Sequence, residues 1–100
     1  MERKMIDSIL HTKVEKALVR GWIKRKRDFK GTLIWLLRDG SGEMQAVLGS
    51  DAIADKKSYD HARKALVESS VEVEGTIKDH PRAPSGKELQ VHQVPMIHAG

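Results

Sequence analysis

Positively charged side chains cluster around two aromatic residues in the first third of the chain. Residues 20–30 contain six basic residues against one acidic residue, Asp28. Trp22 and Phe29 lie in the same stretch. Cations attract phosphates and rings stack on bases, so this composition is typical of proteins that hold an unpaired nucleic-acid strand. The basic residues expected to attract phosphates are Lys24, Arg25, Lys26, Arg27 and Lys30. A solvated face that only aids solubility is the alternative interpretation.

Base-specific recognition needs polar side chains that reach base edges, and Gln45 and Glu88 are the two candidates. Each is also compatible with an ordinary surface position on a strand. Among the aromatic residues, Phe29 lies in a polar segment and is the most exposed candidate for stacking on a base. Trp22 and Trp35 lie in apolar segments and are expected in the core or half-buried.

No pattern in the chain predicts a catalytic, metal or cofactor site. The five histidines are scattered and form no HxH or HxxxH pair: they are His11, His61, His80, His92 and His98. The sequence has no cysteine, no GxSxG motif and no phosphate-binding glycine loop. We therefore expect a binding protein that uses no cofactor rather than an enzyme.

The length and charge suit one small domain with a polyanionic partner. The chain has 100 residues, a net charge of +4 and a pI near 9.5. It contains neither an apolar run of the length needed to span a membrane nor a signal-peptide pattern. We expect a cytoplasmic protein that does not bind membranes.

Hydrophobic periodicity and turn signals predict a short N-terminal helix and then an all-β domain with one inserted helix. The predicted strands are 13–27, 32–38, 43–48, 69–78 and 88–97, with a helix at 59–68 and a loop at 79–87. Gly21 suggests a bulge or bend in the first strand, and strand 32–38 is apolar enough to be buried on both faces or to lie at a barrel seam. Residues 1–12 are predicted to be an extension and residues 13–99 the domain.

The predicted order of three strands, a helix and two strands is typical of the five-stranded oligonucleotide-binding (OB) barrel. An SH3-like barrel is the runner-up, but it usually lacks that helix. Three segments, VRGWIKRKRD with LRDGSGEMQAV, ALVESSVEVEGTIK, and PRAPSGKELQV, carry a resemblance to a known family. They resemble the N-terminal anticodon-binding domain of class IIb aminoacyl-tRNA synthetases of the asparaginyl and aspartyl type, with archaeal-type asparaginyl enzymes most similar.

The resemblance implies roles for individual positions. Arg27 matches an arginine that contacts the anticodon loop, Gln45 a glutamine that recognises the central uridine, and Glu88 a carboxylate that helps recognise the first base. The family places a stacking aromatic residue where this chain has Ile34, so either Trp35 or Phe29 replaces it or the stacking is weaker.

The implied function is recognition of the tRNA anticodon loop, as part of an asparaginyl- or aspartyl-tRNA synthetase. Because the segments that bind ATP and the amino acid are not in this chain, we expect no aminoacylation by the chain alone. Its expected partners are tRNA and the catalytic domain of its own synthetase, with no physiological DNA target. A free-standing RNA or single-strand binding module and a protein-interaction domain are the alternatives.

Overall fold

The computed structural model describes residues 3–11, 13–29, 31–49, 51, 53, 56–80, 82–83 and 86–98. Within them the chain forms two helices and five strands. In chain order these are α1 (Ile6–His11), β1 (Lys16–Phe29), β2 (Thr32–Arg38), β3 (Glu43–Gly49), α2 (Lys56–Lys64), β4 (Ser70–Asp79) and β5 (Lys87–His98). No helix in this described part is long and apolar enough to cross a membrane.

The five strands form a closed barrel in the order β1-β2-β3-β5-β4. All neighbouring pairs are antiparallel except β3 and β5, which are parallel. The long strand β1 pairs with β4 through residues 16–22 and with β2 through residues 22–29, so one strand belongs to both sides of the barrel. The predicted OB barrel, with a helix between the third and fourth strands, is confirmed.

Alternate side chains of each strand fill the barrel, as the period of a β-strand requires. In β2, Leu33, Trp35 and Leu37 are fully buried. Ile34 and Leu36 are only half-buried, because they point to the outer surface. Of the two predicted environments, burial on both faces was therefore wrong, and β2 is a strand of the closed barrel. Its apolar outer residues remain partly open to solvent.

The N-terminal helix α1 packs against the barrel, with Ile6 and Ile9 fully buried in its core. The turn between β2 and β3 holds the start of this helix, since the backbone N–H of Ile6 donates to Asp39 Oδ2 at 2.8 Å. Ahead of α1, the N–H of Lys4 donates to the carbonyl of Leu18 in β1 at 2.9 Å. The predicted helix is confirmed, and the division of the chain after residue 12 stays a prediction.

Helix α2 spans Lys56–Lys64, whereas the sequence predicted 59–68. After Lys64 the chain turns towards β1, where the N–H of Glu68 donates to the carbonyl of Ile23 and the N–H of Ile23 donates to that of Ser69. Glu68 has a positive φ of 78°, which no α-helix contains. The helix ends early because these bonds to β1 replace the next helical turn.

Gly21 lies where β1 passes from β4 to β2. A Cβ at this position would overlap the carbonyl oxygen of Arg38, so the close approach of the two strands requires glycine. The shift in strand register falls later, between Ile23 and Arg25. The predicted irregularity in β1 is therefore present, but Lys24 is the bulged residue.

Candidate nucleic-acid interface

The strand register places four residues from distant parts of the sequence in one row across the barrel. Arg25 of β1 pairs with Leu36 of β2, and Leu36 pairs with Gln45 of β3. Gln45 in turn pairs with Glu88 of β5. Residues that pair directly across strands project to the same face of a sheet. Arg25, Gln45 and Glu88, which the sequence proposed separately, therefore lie on one surface.

A second row runs beside the first, two residues further along each strand. Arg27 pairs with Ile34, and Ile34 pairs with Val47. Because residues i and i+2 of a strand share a face, the side chains of Arg27 and Ile34 lie beside those of Arg25 and Leu36. The two rows together form one surface, which we call the strand face.

An open groove of about 400 Å³ lies on the strand face. Its floor contains the half-buried apolar side chains of Ile34 and Leu36, and its rim contains Arg25, Arg27 and Gln45. An apolar floor suits the face of a nucleobase, and guanidinium groups beside it suit phosphates. The groove therefore has the chemistry to hold an unpaired nucleotide.

The amide of Gln45 and the carboxylate of Glu88 contact each other at the edge of this groove. Gln45 Nε2 donates to Glu88 Oε2 over 3.3 Å. Because the carboxylate accepts hydrogen bonds, this contact sets which end of the amide is oxygen and which is nitrogen. An amide presents a donor and an acceptor side by side, which matches the edge of a uracil base. The carboxylate accepts from amino and imino groups of a base.

The basic residues divide into two groups, which the sequence could not distinguish. Lys24 Nζ contacts Glu43 Oε1 at 2.9 Å, and this hydrogen bond from Lys24 holds the pKa of Glu43 below its usual value. Lys26 Nζ donates to the carbonyl oxygens of Arg63 and Ala65 at 2.7 and 2.6 Å. Both lysines are thus engaged within the protein, although Lys26 also lines the groove on the strand face. Their role as phosphate contacts stays a prediction.

The arginines of the cluster have different surroundings. Arg25 and Arg27 are exposed and line the groove on the strand face. The guanidinium of Arg27 lies 5.9 Å from the centre of the Phe29 ring. Lys30, the remaining predicted phosphate contact, lies outside the described residues.

The aromatic residues separate by burial. Trp35 is 0% exposed in the barrel interior, so it cannot stack on a base, and its proposed role as a substitute for the family's aromatic residue is wrong. Phe29 is 53% exposed at the end of β1 and keeps that possibility. Trp22 is half-buried, and the guanidinium of Arg38 lies 6.0 Å from its ring centre.

Sequence reasoning missed Leu36 and Val47 as parts of this surface. Their partners in the strand register, Gln45 and Ile34, were both identified, so the missing information was the pairing of β2 with β3. The Asp-Gly turn between those strands would have supplied it, because a short hairpin fixes the register on both sides. In the described part of the chain, no three His, Cys, Asp or Glu side chains come close enough to hold a metal ion.

A cation-rimmed groove across the strands of a closed five-stranded barrel defines a nucleic-acid-binding domain of the OB class. Consistent with this, the tRNA anticodon family model, an OB-fold nucleic acid binding domain, matches residues 17–97. The chain belongs to this family and represents the anticodon-binding domain of the asparaginyl- and aspartyl-tRNA synthetases.

Individual relatives are similar over most of the chain. The asparagine–tRNA ligase of Thermococcus kodakarensis is 40% identical over 83 residues, which are 83% of this chain and 19% of the relative. The aspartate–tRNA(Asp/Asn) ligase of Methanosarcina acetivorans is 35% identical over 83% of this chain and 18% of the relative. The crystal structure of asparaginyl-tRNA synthetase from Pyrococcus horikoshii complexed with asparaginyl-adenylate superposes with a TM-score of 0.88 at 28% identity, covering 100% of this chain and 23% of that one. The chain spans about a fifth of the length of the curated relatives it matches.

Proposed function

We propose that this chain binds the anticodon loop of tRNA for asparagine, as the anticodon-binding domain of an asparaginyl-tRNA synthetase. The observation that carries the proposal is the row Arg25, Leu36, Gln45 and Glu88, which brings a cation, an apolar floor and two base-reading groups together. A splayed loop of RNA offers complementary groups in the same order: phosphates, base faces and Watson–Crick edges.

Residues on and beside the strand face have different roles in this proposal. Arg25 and Arg27 attract the phosphates, and the half-buried Ile34 receives the face of a base where the family has an aromatic residue. Gln45 recognises the central uridine. Glu88 accepts hydrogen bonds from the first anticodon base while its other contact orients Gln45. Phe29, exposed beside Arg27, provides a stacking surface at the end of β1.

The ligase activity of the relatives belongs, in this proposal, to the remaining four fifths of their length. The chain by itself binds tRNA without charging it, and its second partner is the catalytic domain of its own synthetase. A cytoplasmic location is part of the proposal, in line with a relative in Schizosaccharomyces pombe named as a cytoplasmic asparagine–tRNA ligase.

Replacing Gln45 tests the proposal directly. The wild-type chain is expected to bind an anticodon stem-loop with the sequence GUU about tenfold more tightly than one with a changed central base, because a good pair of hydrogen bonds to a base edge is worth about 1–3 kcal/mol. Gln45→Ala should bind both stem-loops with equal affinity. Competition gel shifts at fixed salt measure both ratios. Gln93→Ala is the matched control, since Gln93 lies on β5 opposite Glu74 of β4 and away from the groove.

The same measurement separates the alternative functions. A general single-strand binder would hold scrambled RNA and single-stranded DNA as tightly as the GUU stem-loop. A protein-interaction domain would bind none of them. Wild-type binding that ignores the central base would overturn the proposed function.

A further inference from the structure

A second groove, of about 290 Å³, lies near the β2–β3 turn. Arg3, Met5, Arg20, Trp22 and Ser70 are part of its lining, and we call it the arginine groove. Arg3 comes from the segment ahead of α1, where it forms a bridge with Leu18 of β1. The N-terminal residues predicted to be a mere extension thus supply a cation to this surface.

The arginine groove is continuous with the strand face. Trp22 pairs with Arg38 across β1 and β2, and Arg38 follows Leu36 by two residues on the same face of β2. Two residues of a strand span about 7 Å. A nucleic-acid strand that crosses Leu36 therefore reaches Arg38 and Trp22 within about that distance.

The charges of the arginine groove favour an anionic ligand. Arg3 and Arg20 are exposed, and Arg38 lies exposed beside Trp22. The nearby carboxylates are largely occupied: Asp39 is 5% exposed and accepts hydrogen bonds from Ile6 and Ser41, and Glu43 contacts Lys24. Glu72 lies opposite Arg20 in the strand register. Glu43 likewise lies opposite Arg38. Together with Lys24, the three arginines Arg3, Arg20 and Arg38 make four cations against the three carboxylates Asp39, Glu43 and Glu72, and Asp39 is buried. The exposed charge at this surface is therefore positive.

We propose that the arginine groove binds the sugar-phosphate backbone and one base of the RNA nucleotides adjacent to the anticodon base at Gln45. This inference rests on the proposed function and extends the bound segment beyond the bases that are read. Guanidinium groups match phosphate oxygens in a two-pronged geometry, and an indole offers a wide surface for stacking. The family's aromatic position holds Ile34 in this chain, which cannot provide an aromatic contact. Trp22 provides one on the opposite side of the row that contains Gln45.

Charge removal in the arginine groove provides the first test. Arg3→Gln and Arg20→Gln, each in the full 100-residue chain, should lower affinity for the GUU anticodon stem-loop about three- to tenfold. Each should also reduce the slope of log K against log salt by about 0.7, the value for one phosphate contact on a single strand. Discrimination at the central base should not change. Lys64→Gln, which removes an exposed cation from α2, is the matched control.

Intrinsic fluorescence provides the second test, because the chain has two tryptophans and one of them is fully buried. Stacking of a base on Trp22 should quench the emission of the wild-type chain when the stem-loop is added. In Trp22→Phe, where Trp35 is the remaining emitter, the same RNA should cause no quenching. Far-ultraviolet circular dichroism shows whether each variant is folded.

The outcomes distinguish this inference from the function on which it rests. If Arg3→Gln and Arg20→Gln leave affinity and salt slope unchanged and the RNA does not quench Trp22, while Arg25→Gln weakens binding, the arginine groove is not an RNA site and the proposed function stands. If Arg25→Gln has no effect either, both are overturned. Weaker binding, a lower salt slope and quenching that requires Trp22 support both the proposed function and an RNA site in the arginine groove.

Discussion

Four consecutive basic residues, 24–27, have four different environments. Lys24 contacts Glu43, Arg25 borders the groove beside Leu36, Lys26 bonds to the end of α2, and Arg27 lies over Phe29. The sequence could predict the cluster because charge is a local property. It could not predict the division, since the partners of Lys26 lie 37 and 39 residues away.

Lys26 and Arg25 should therefore respond in opposite ways to the loss of charge. Lys26→Met removes two hydrogen bonds to carbonyls at the end of α2, and we expect a loss of about 1 kcal/mol in the free energy of unfolding with a small effect on RNA affinity. Arg25→Met should weaken RNA binding with little change in stability. Urea unfolding and gel shifts measure the two quantities. Equal effects of both substitutions on RNA affinity would show that the lysine also contacts phosphate.

Among the secondary-structure elements, the strands were predicted more accurately than helix α2. In β4, Val71, Val73 and Gly75 alternate with polar residues, so the local sequence alone predicts the strand. The end of helix α2 could not be predicted from the local sequence, because hydrogen bonds between Ile23 and residues 68–69 decide where the helix ends. Leu66, which lies inside the predicted helix 59–68, is 72% exposed after the last turn of α2.

The attachment of α1 to the β2–β3 turn should depend on pH. Burial alone would raise the pKa of Asp39, but hydrogen bonds from Ser41, Ile6 and Gly42 outweigh burial, so the pKa is lowered. A carboxylate with a lowered pKa stabilises the folded state above its unfolded pKa, and this contribution is lost as the pH falls through the folded value.

Asp39→Asn should accordingly lower the free energy of unfolding at neutral pH by about 1–2 kcal/mol, because an amide cannot accept at both of its ends. Both carboxylate oxygens accept in the wild type, Oδ1 from Ser41 and Gly42 and Oδ2 from Ile6. The difference between the two proteins should begin to shrink below about pH 4, the ordinary pKa of an aspartate in the unfolded chain, and should be lost as the pH falls through the lowered pKa of folded Asp39. Urea unfolding at a series of pH values measures this difference in stability. A difference that stays constant down to pH 2 contradicts the assignment.

Contact between β4 and β5 leaves no room for a side chain at Gly75. A Cβ there would overlap the carbonyl oxygen of Gln90, and backbone cannot move aside as a flexible side chain can. Gly75→Ala should therefore lower stability by about 3 kcal/mol. The matched control is Gly40→Ala, since a Cβ on Gly40 has no atom within 4 Å among the described neighbours. Thermal unfolding compares the two; equal melting temperatures would contradict the close approach.

Positive charge is distributed unevenly over the molecule. Its net charge is +4, but two cations of the basic cluster are engaged internally, so we propose that the phosphate contacts come from Arg25, Arg27 and the arginine groove. If all five arginines contact phosphates, the slope of log K against log salt should be about −3.5. If only Arg25 and Arg27 do so, it should be about −1.4. A salt titration of stem-loop binding gives this number. A slope near zero would show that phosphates contribute nothing.

The position of β5 between β3 and β4 has a consequence for how the protein folds. Strands β1, β2 and β3 are joined by short turns and can pair as soon as they are made, but β3 and β4 meet no partner on their second edges until β5 arrives. The β3–β5 contact joins residues 43 apart, so the entropy of closing that loop is lost before the contact forms, and folding should be slow for a chain of this size. During synthesis, the two exposed edges would persist until β5 has left the ribosome. Glu88 arrives on that strand, so the chain completes the proposed recognition surface in the same step that closes its barrel.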